Sequence, residues 1–286
     1  MQEKFKTKKS LGQNFLINPH IIDKIVVAAQ IKKSDIILEV GPGTGNLTRE
    51  LAKKAGKVIA IEKDVRLLEP LRDNFRDKPN IEIIEGDILK FDIETLFRNL
   101  KLEIRNSDYK VVANLPYYIT SNFIRTVFDK WSRPSVEDPR FSKTESGPRP
   151  ELIVLTIQKE VAQRIMAKPP HMNLLALSVQ YYSEPEIIGY ISKNNFRPIP
   201  KIDSAIIRLS VKSKAQNEKE TEAVFKIIRL GFSEKRKQLA SVLSKKLKRS
   251  REEIALAIEK SGISPKVRAE NLSFEQWNTL QNYLNT

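Results

Sequence analysis

The chain has 286 residues, 40% of them hydrophobic, which is enough apolar material to build one large domain or two smaller ones and excludes a disordered chain. Lys and Arg number 50 against 35 Asp and Glu, an excess of 15 that points to a polyanionic partner, nucleic acid ahead of an anionic membrane surface. The absence of Cys excludes disulfides, thiolate catalysis and cysteine-ligated metal centres, and with His20 and His171 the only histidines no metal is expected.

The N-terminus opens with Lys4, Lys6, Lys8 and Lys9 and no apolar core follows, so a secretory signal is not expected. The longest apolar runs, Ile25–Ala29 and Leu152–Leu155, fall far short of the about 18 residues that cross a bilayer, and the expected compartment is the cytoplasm. Ile36–Val40 reads as a buried strand, followed by a glycine turn and by Leu47–Ala55 at helical spacing. Lys57–Glu62 is a second strand, with helical Val65–Phe75 after it. Ile81–Glu85 and Lys110–Asn114 are the third and fourth strands, then Leu152–Ile157, Ile187–Ile191 and Ala205–Val211. Strands alternating with helices predict an α/β domain built on a mainly parallel sheet covered on both faces. Ser132–Pro150, with four prolines among polar residues, reads as an exposed loop, and Lys212–Glu222 as a linker. Beyond it Val224, Ile227, Ile228, Leu230, Phe232, Leu239, Val242, Leu243 and Leu247 recur every three or four residues, and Ile254–Ile258 and Phe274–Leu284 repeat the habit. The division is therefore a Rossmann-like domain over residues 1–212 and a small helical domain over residues 213–286.

Glu39-Val40-Gly41-Pro42-Gly43-Thr44-Gly45 follows a strand and opens a helix, the place where glycines let a ligand approach the backbone. A plain strand–turn–helix would use glycines in the same way. Glu62, ending the next strand, is placed to accept from both ribose hydroxyls of an adenosine. The third glycine of a nicotinamide or flavin fingerprint is missing, since Asn46 and Thr48 occupy its two possible positions. A G-x-G-x-G loop preceded by an acidic residue looks instead like that of class I S-adenosylmethionine-dependent methyltransferases. Asp87, after the third strand, adds a carboxylate suited to an adenine amino group.

Asn114-Leu115-Pro116-Tyr117 ends the fourth strand. The exocyclic amine of a nucleobase is a poor nucleophile, because its lone pair is delocalised into the ring. The Asn114 side-chain oxygen and the Leu115 carbonyl can accept its two N–H bonds and turn the lone pair toward an electrophilic methyl. Pro116 fixes the turn, and Tyr117 offers a ring for a base lifted from its stack.

The ordered set Lys8-Lys9-Ser10-Leu11-Gly12-Gln13-Asn14-Phe15-Leu16, the glycine loop, Ile61–Asp64, Gly86-Asp87, Asn114–Tyr117, Gln158–Ala162 and Phe196–Ala205 resembles the ribosomal RNA adenine N6-dimethyltransferase family. Within it the resemblance is closest to the kasugamycin-resistance branch, which dimethylates two adjacent adenosines near the 3′ end of 16S rRNA. It implies a class I methyltransferase domain with S-adenosylmethionine as cofactor and the small ribosomal subunit or its precursor as partner, and a monomer is expected. It implies that Asn14 and Leu16 close over the cofactor, Gly41, Gly43 and Gly45 pass under its methionine part, and Glu62 and Asp87 hold ribose and adenine. Asn114 would serve both cofactor and methyl-transfer centre, and Tyr117 and Phe196 would bracket the target adenine. The long Ser132–Pro150 segment, and the lack of a Tyr-Gly pair in Lys168–Leu175, depart from the family's habit on the RNA-facing side. The 23S rRNA enzymes of macrolide resistance are the near rival, and a non-catalytic ribosome-assembly factor the distant one.

Between Lys226 and Arg251 ten basic residues face one acid, Glu234. Lys235, Arg236, Lys237, Lys245, Lys246, Lys248 and Arg249 are the residues expected to meet RNA, a solvated helix face being the alternative.

Overall fold

The computed structural model describes residues 12–102, 104, 108–130, 148–212, 218–234 and 236–284. The Lys4–Lys9 cluster, Lys235 and most of Ser132–Pro150 lie outside them. In chain order the elements are β1 Phe15–Leu16, α1 Pro19–Ala28, β2 Ile36–Val40, α2 Asn46–Lys54, β3 Lys57–Glu62, α3 Val65–Asn74, β4 Ile81–Glu85, α4 Ile93–Asn99, β5 Tyr109–Asn114, α5 Thr120–Arg125, β6 Leu152–Gln158, α6 Lys159–Ile165, α7 Leu174–Tyr182, β7 Ser183–Ile191, β8 Phe196–Arg197, β9 Ser204–Val211, α8 Glu218–Gly231, α9 Leu239–Leu247, α10 Arg251–Lys260 and α11 Phe274–Leu284. The described residues fall into two compact units, 12–162 with 183–212 and 163–182 with 218–284.

The first unit is a seven-stranded sheet in the order β4-β3-β2-β5-β6-β9-β7. The first five strands are parallel, and β9 runs antiparallel to both neighbours. Adjacent residues of one strand point to opposite faces, and Ile37 and Leu38 both have no exposed surface, so the sheet is covered on both sides. Register decides where the loops emerge. Val40 pairs with Ile61 and Ala113, and Glu62 with Glu85, so Gly41, Glu62, Glu85 and Asn114 come out level at the carboxyl edge. The strand order reverses at β2 and β5, the crevice where open α/β sheets take ligands. At the opposite edge the buried Lys110 ammonium is fully engaged, 2.8 Å from Asp35 and 2.7 Å from the Gln30 carbonyl.

The second unit packs α7 to α11 around Trp277, Leu239, Ile254, Ile258 and Leu280. Two sequence expectations change here. Residues 163–182 belong with the helical unit rather than the Rossmann-like one, because Met172, Ala176 and Leu177 are buried in its core. The linker is also shorter than Lys212–Glu222, since α8 already begins at Glu218.

At the end of α8, Gly231 lies against the Trp277 ring, where an added Cβ would come within 2.4 Å of it and 2.9 Å of Leu239. Overpacking of this kind costs about 1–3 kcal/mol, so Gly231→Ala should lower the stability of the helical unit by that amount in urea titration followed by Trp fluorescence. An unshifted midpoint would contradict the packing around Trp277.

Candidate active site

A cleft opens at the carboxyl edge of the sheet. Its lining brings together Asn14, Gly41, Gly43, Glu62, Asp87 and Asn114 with Leu115, Pro116 and Tyr117. Three expected site residues lie off it. Gly45, at φ 79°, caps α2, and a Cβ there would meet the Phe75 ring at 2.8 Å, so its glycine is needed for packing. Leu16 and Phe196 pair across the β1–β8 ladder and are buried in one apolar cluster. Phe196 has no exposed surface, so for its ring to meet a base the ladder would have to part. Gln13, Lys63, Asp64 and Tyr118 line the cleft without having been singled out. Gln13 and the Lys63-Asp64 pair stood inside quoted motifs, but neither spacing nor residue type marks them as cleft residues.

Glu62 is nearly buried, and it ties two loops together. One carboxylate oxygen accepts from Gly43 N–H at 3.1 Å and the other from Asp64 N–H at 2.8 Å. Burial pushes its carboxyl above the ordinary range, and these backbone bonds hold part of that rise back. Asp64 behaves oppositely. The Arg66 guanidinium against it brings its carboxyl down to about 2, with Gln13 Nε2 donating at 2.9 Å. For Asp87 partial burial works against ionisation, but Lys63 at 2.8 Å, the Leu89 N–H and Lys90 together outweigh it and the carboxyl falls below its usual value. Two carboxylates thus stand at the ends of adjacent strands β3 and β4. The glycine loop beside them has nothing within 4 Å of where a Cβ on Gly41 would lie. The two carboxylates beside an open glycine loop are residues that could hold a cationic adenosine cofactor, by its ribose and adenine.

On the acceptor side, Asn114 Nδ2 donates to the Asn14 carbonyl at 3.0 Å. With its nitrogen committed there, the Asn114 oxygen is the end available to an incoming amine. Tyr117 opens a 3₁₀ turn after Pro116, and its phenol lies 2.6 Å from Ser204 Oγ. In the helical unit Arg236, Lys237, Lys245, Lys246 and Lys248 are exposed. Arg249 is not a free cation, since its guanidinium donates to the Leu284 carbonyl at 2.8 Å and lies 3.5 Å from Glu253.

Glu39, just before the glycine loop, is fully buried, and neither of its oxygens has a hydrogen-bond partner among the described residues. Burial pushes its carboxyl up to about 8. The Thr48 hydroxyl is near enough to temper the rise without meeting hydrogen-bond geometry, and Glu62 adds to it. Between about pH 4.5 and 8 the folded chain therefore keeps a proton that the unfolded chain releases, and stability falls as pH rises through that window. Glu39→Gln should flatten this slope, leaving the variant more stable than the parent at pH 8 and close to it at pH 5. Parallel stability curves for the two proteins would show that Glu39 is ionised in the fold.

Comparison with known proteins finds relatives along nearly the whole chain. The family profile described as Ribosomal RNA adenine dimethylase matches residues 4–286. A protein named Ribosomal RNA small subunit methyltransferase A from Dehalococcoides mccartyi is 40% identical over 277 residues, covering 96% of this chain and 87% of its own. One of the same name from Clostridioides difficile is 38% identical, covering 99% and 92%. Among solved structures, the 23S rRNA methyltransferase ErmE superposes with a TM-score of 0.71 at 25% identity, over 96% of this chain and all of that one. A dimethyladenosine transferase from Plasmodium falciparum gives the same score at 27% identity, over 95% and 97%. With a profile that spans almost every residue, the chain belongs to the ribosomal RNA adenine dimethylase family.

Proposed function

We propose that the chain transfers methyl groups from S-adenosylmethionine to N6 of two adjacent adenosines near the 3′ end of 16S rRNA during assembly of the small ribosomal subunit. Family membership makes it an S-adenosylmethionine-dependent rRNA adenine dimethyltransferase. The choice of the small subunit is supported by relatives named for it at 38–40% identity, against 25% for the 23S enzyme. We read it as a cytoplasmic monomer; among the described residues no helix is long and apolar enough to cross a membrane.

The observation that carries the reading is Asn114 in the cleft lining with its nitrogen bound to the Asn14 carbonyl, which leaves its oxygen free to accept. Bound S-adenosylmethionine supplies an electrophilic methyl on a sulfonium. Asn114 and the Leu115 carbonyl accept the two N–H bonds of the adenine amine, draw its lone pair out of the ring and aim it. Tyr117 stacks on the base and Pro116 fixes the turn that carries both acceptors. Charge develops on the amine as it reacts, and the two fixed acceptors stabilise it without a strong general base. A pure RNA-binding factor has no use for this arrangement.

The exposed cations of the helical unit supply affinity for phosphate. Arg236, Lys237, Lys245, Lys246 and Lys248 remain in that role, while Arg249 serves mainly to hold α11.

The protein should transfer labelled methyl to small subunits lacking the modification and not to large ones, and Asn114→Ala should cut that transfer by about 100-fold or more with the circular dichroism spectrum retained. Transfer to large subunits, or a folded Asn114→Ala at the parent rate, would reject the reading. Replacing Arg236, Lys237, Lys245 and Lys246 by Gln should weaken subunit binding and flatten the log-affinity against log-salt slope by about 0.9 for each duplex phosphate left unneutralised. An unchanged slope would move the RNA surface elsewhere.

A further inference from the structure

We infer that Ser204 is a positioning residue for the acceptor base: its hydroxyl ties down the phenol of Tyr117 and so sets the plane on which the base stacks. The inference deepens the reading above and rests on it. Tyr117 begins a single 3₁₀ turn, Tyr117–Ile119, closed by Ile119 N–H on the Pro116 carbonyl at 3.1 Å. Such a turn fixes the backbone and leaves the side-chain torsions of an aromatic to whatever the ring touches. The ring is half-buried and lines the cleft. Of the two rings expected to bracket the adenine, it is the one that faces the cleft, since Phe196 has no exposed surface.

The tie is a strong one by position. The two oxygens lie 2.6 Å apart although 87 residues separate them in sequence. Ser204 has no exposed surface and is the first residue of β9, paired on one side with Gln158 of β6 and on the other with Ile191 of β7. Its Cα is therefore immobilised by two strands. A bond from so fixed a point converts a mobile aromatic into a platform, which is what orientation of a poor nucleophile demands. Burial also pushes the Tyr117 phenol up from its ordinary value, with the Ser204 bond offsetting part of the rise, so the hydroxyl stays protonated and able to donate near neutral pH.

Two measurements test this. The first needs no RNA. In tyrosine-labelled protein Ser204→Ala should shift and broaden the Tyr117 ring resonances and leave those of the buried Tyr109 in place; unchanged Tyr117 resonances overturn the inference. The second reads methyl transfer to unmodified small subunits at saturating cofactor. Tyr117→Phe and Ser204→Ala should each lower turnover by about three- to tenfold, the worth of one net hydrogen bond, with cofactor affinity by calorimetry unchanged. The double variant should be no slower than the slower single variant, because both changes remove the same bond. Additive losses, or single variants at the parent rate, overturn the inference. A parent protein that methylates no small subunit overturns the functional reading instead, and the ring resonances then decide the role of Ser204 by themselves.

Discussion

A carboxylate held largely out of water needs other dipoles to solvate it, and at Glu62 those dipoles are the backbone N–H groups of Gly43 and Asp64. The shape of the cleft depends on that exchange. The glycine loop and the turn into α3 each give up an N–H to the same side chain, so neither can move without stranding its charge. Asp64 carries the connection onward, capping α3 through Arg66 N–H and accepting from the Gln13 amide. Gln13 belongs to the segment before β1, so one continuous polar chain links the N-terminal stretch, the acidic turn and the glycine loop.

Parallel register makes this economical. Because Val40, Ile61 and Ala113 are level, three loops of unrelated sequence start from one line, and short side chains suffice to reach between them. Asn114 ends β5 on that same line. Its nitrogen is held by the same N-terminal stretch that Gln13 anchors, which leaves its oxygen as the free acceptor. Docking of that stretch and orientation of the acceptor are thus one geometric fact.

Much of this was legible in the residues. Parallel strands buried on both faces read as near-continuous apolar runs, and Ile36–Val40 and Lys57–Glu62 announce themselves. That Glu62 and Asp87 reach the cleft was legible because each stands at the end of a strand, at the carboxyl edge of the sheet. Two-residue strands carry no period, so β1 and β8 were invisible, and with them the burial of Phe196 and Leu16. The Leu174-Leu175-Ala176-Leu177 run is apolar enough to suit either core, and sequence order assigned it to the wrong one. The roles of Ser204 and Gln13 depend on distances across 87 and 51 residues, which no local pattern contains. Arg249 looked like its basic neighbours, and its commitment to Leu284 appears only in three dimensions.

The split of the helical unit into 163–182 and 218–284 has a consequence for how the chain is made. During synthesis Met172 and, on α7, Ala176 and Leu177 emerge bare, and the helices that cover them follow only after β7, β8 and β9 have been translated. The sheet can complete itself vectorially while α7 waits with its apolar side uncovered. At translation rates of about 5–20 residues per second that wait lasts seconds, long enough for a nascent-chain chaperone to find it. Slow codons within β7 to β9 would lengthen the exposure, and slow codons after α11 would not.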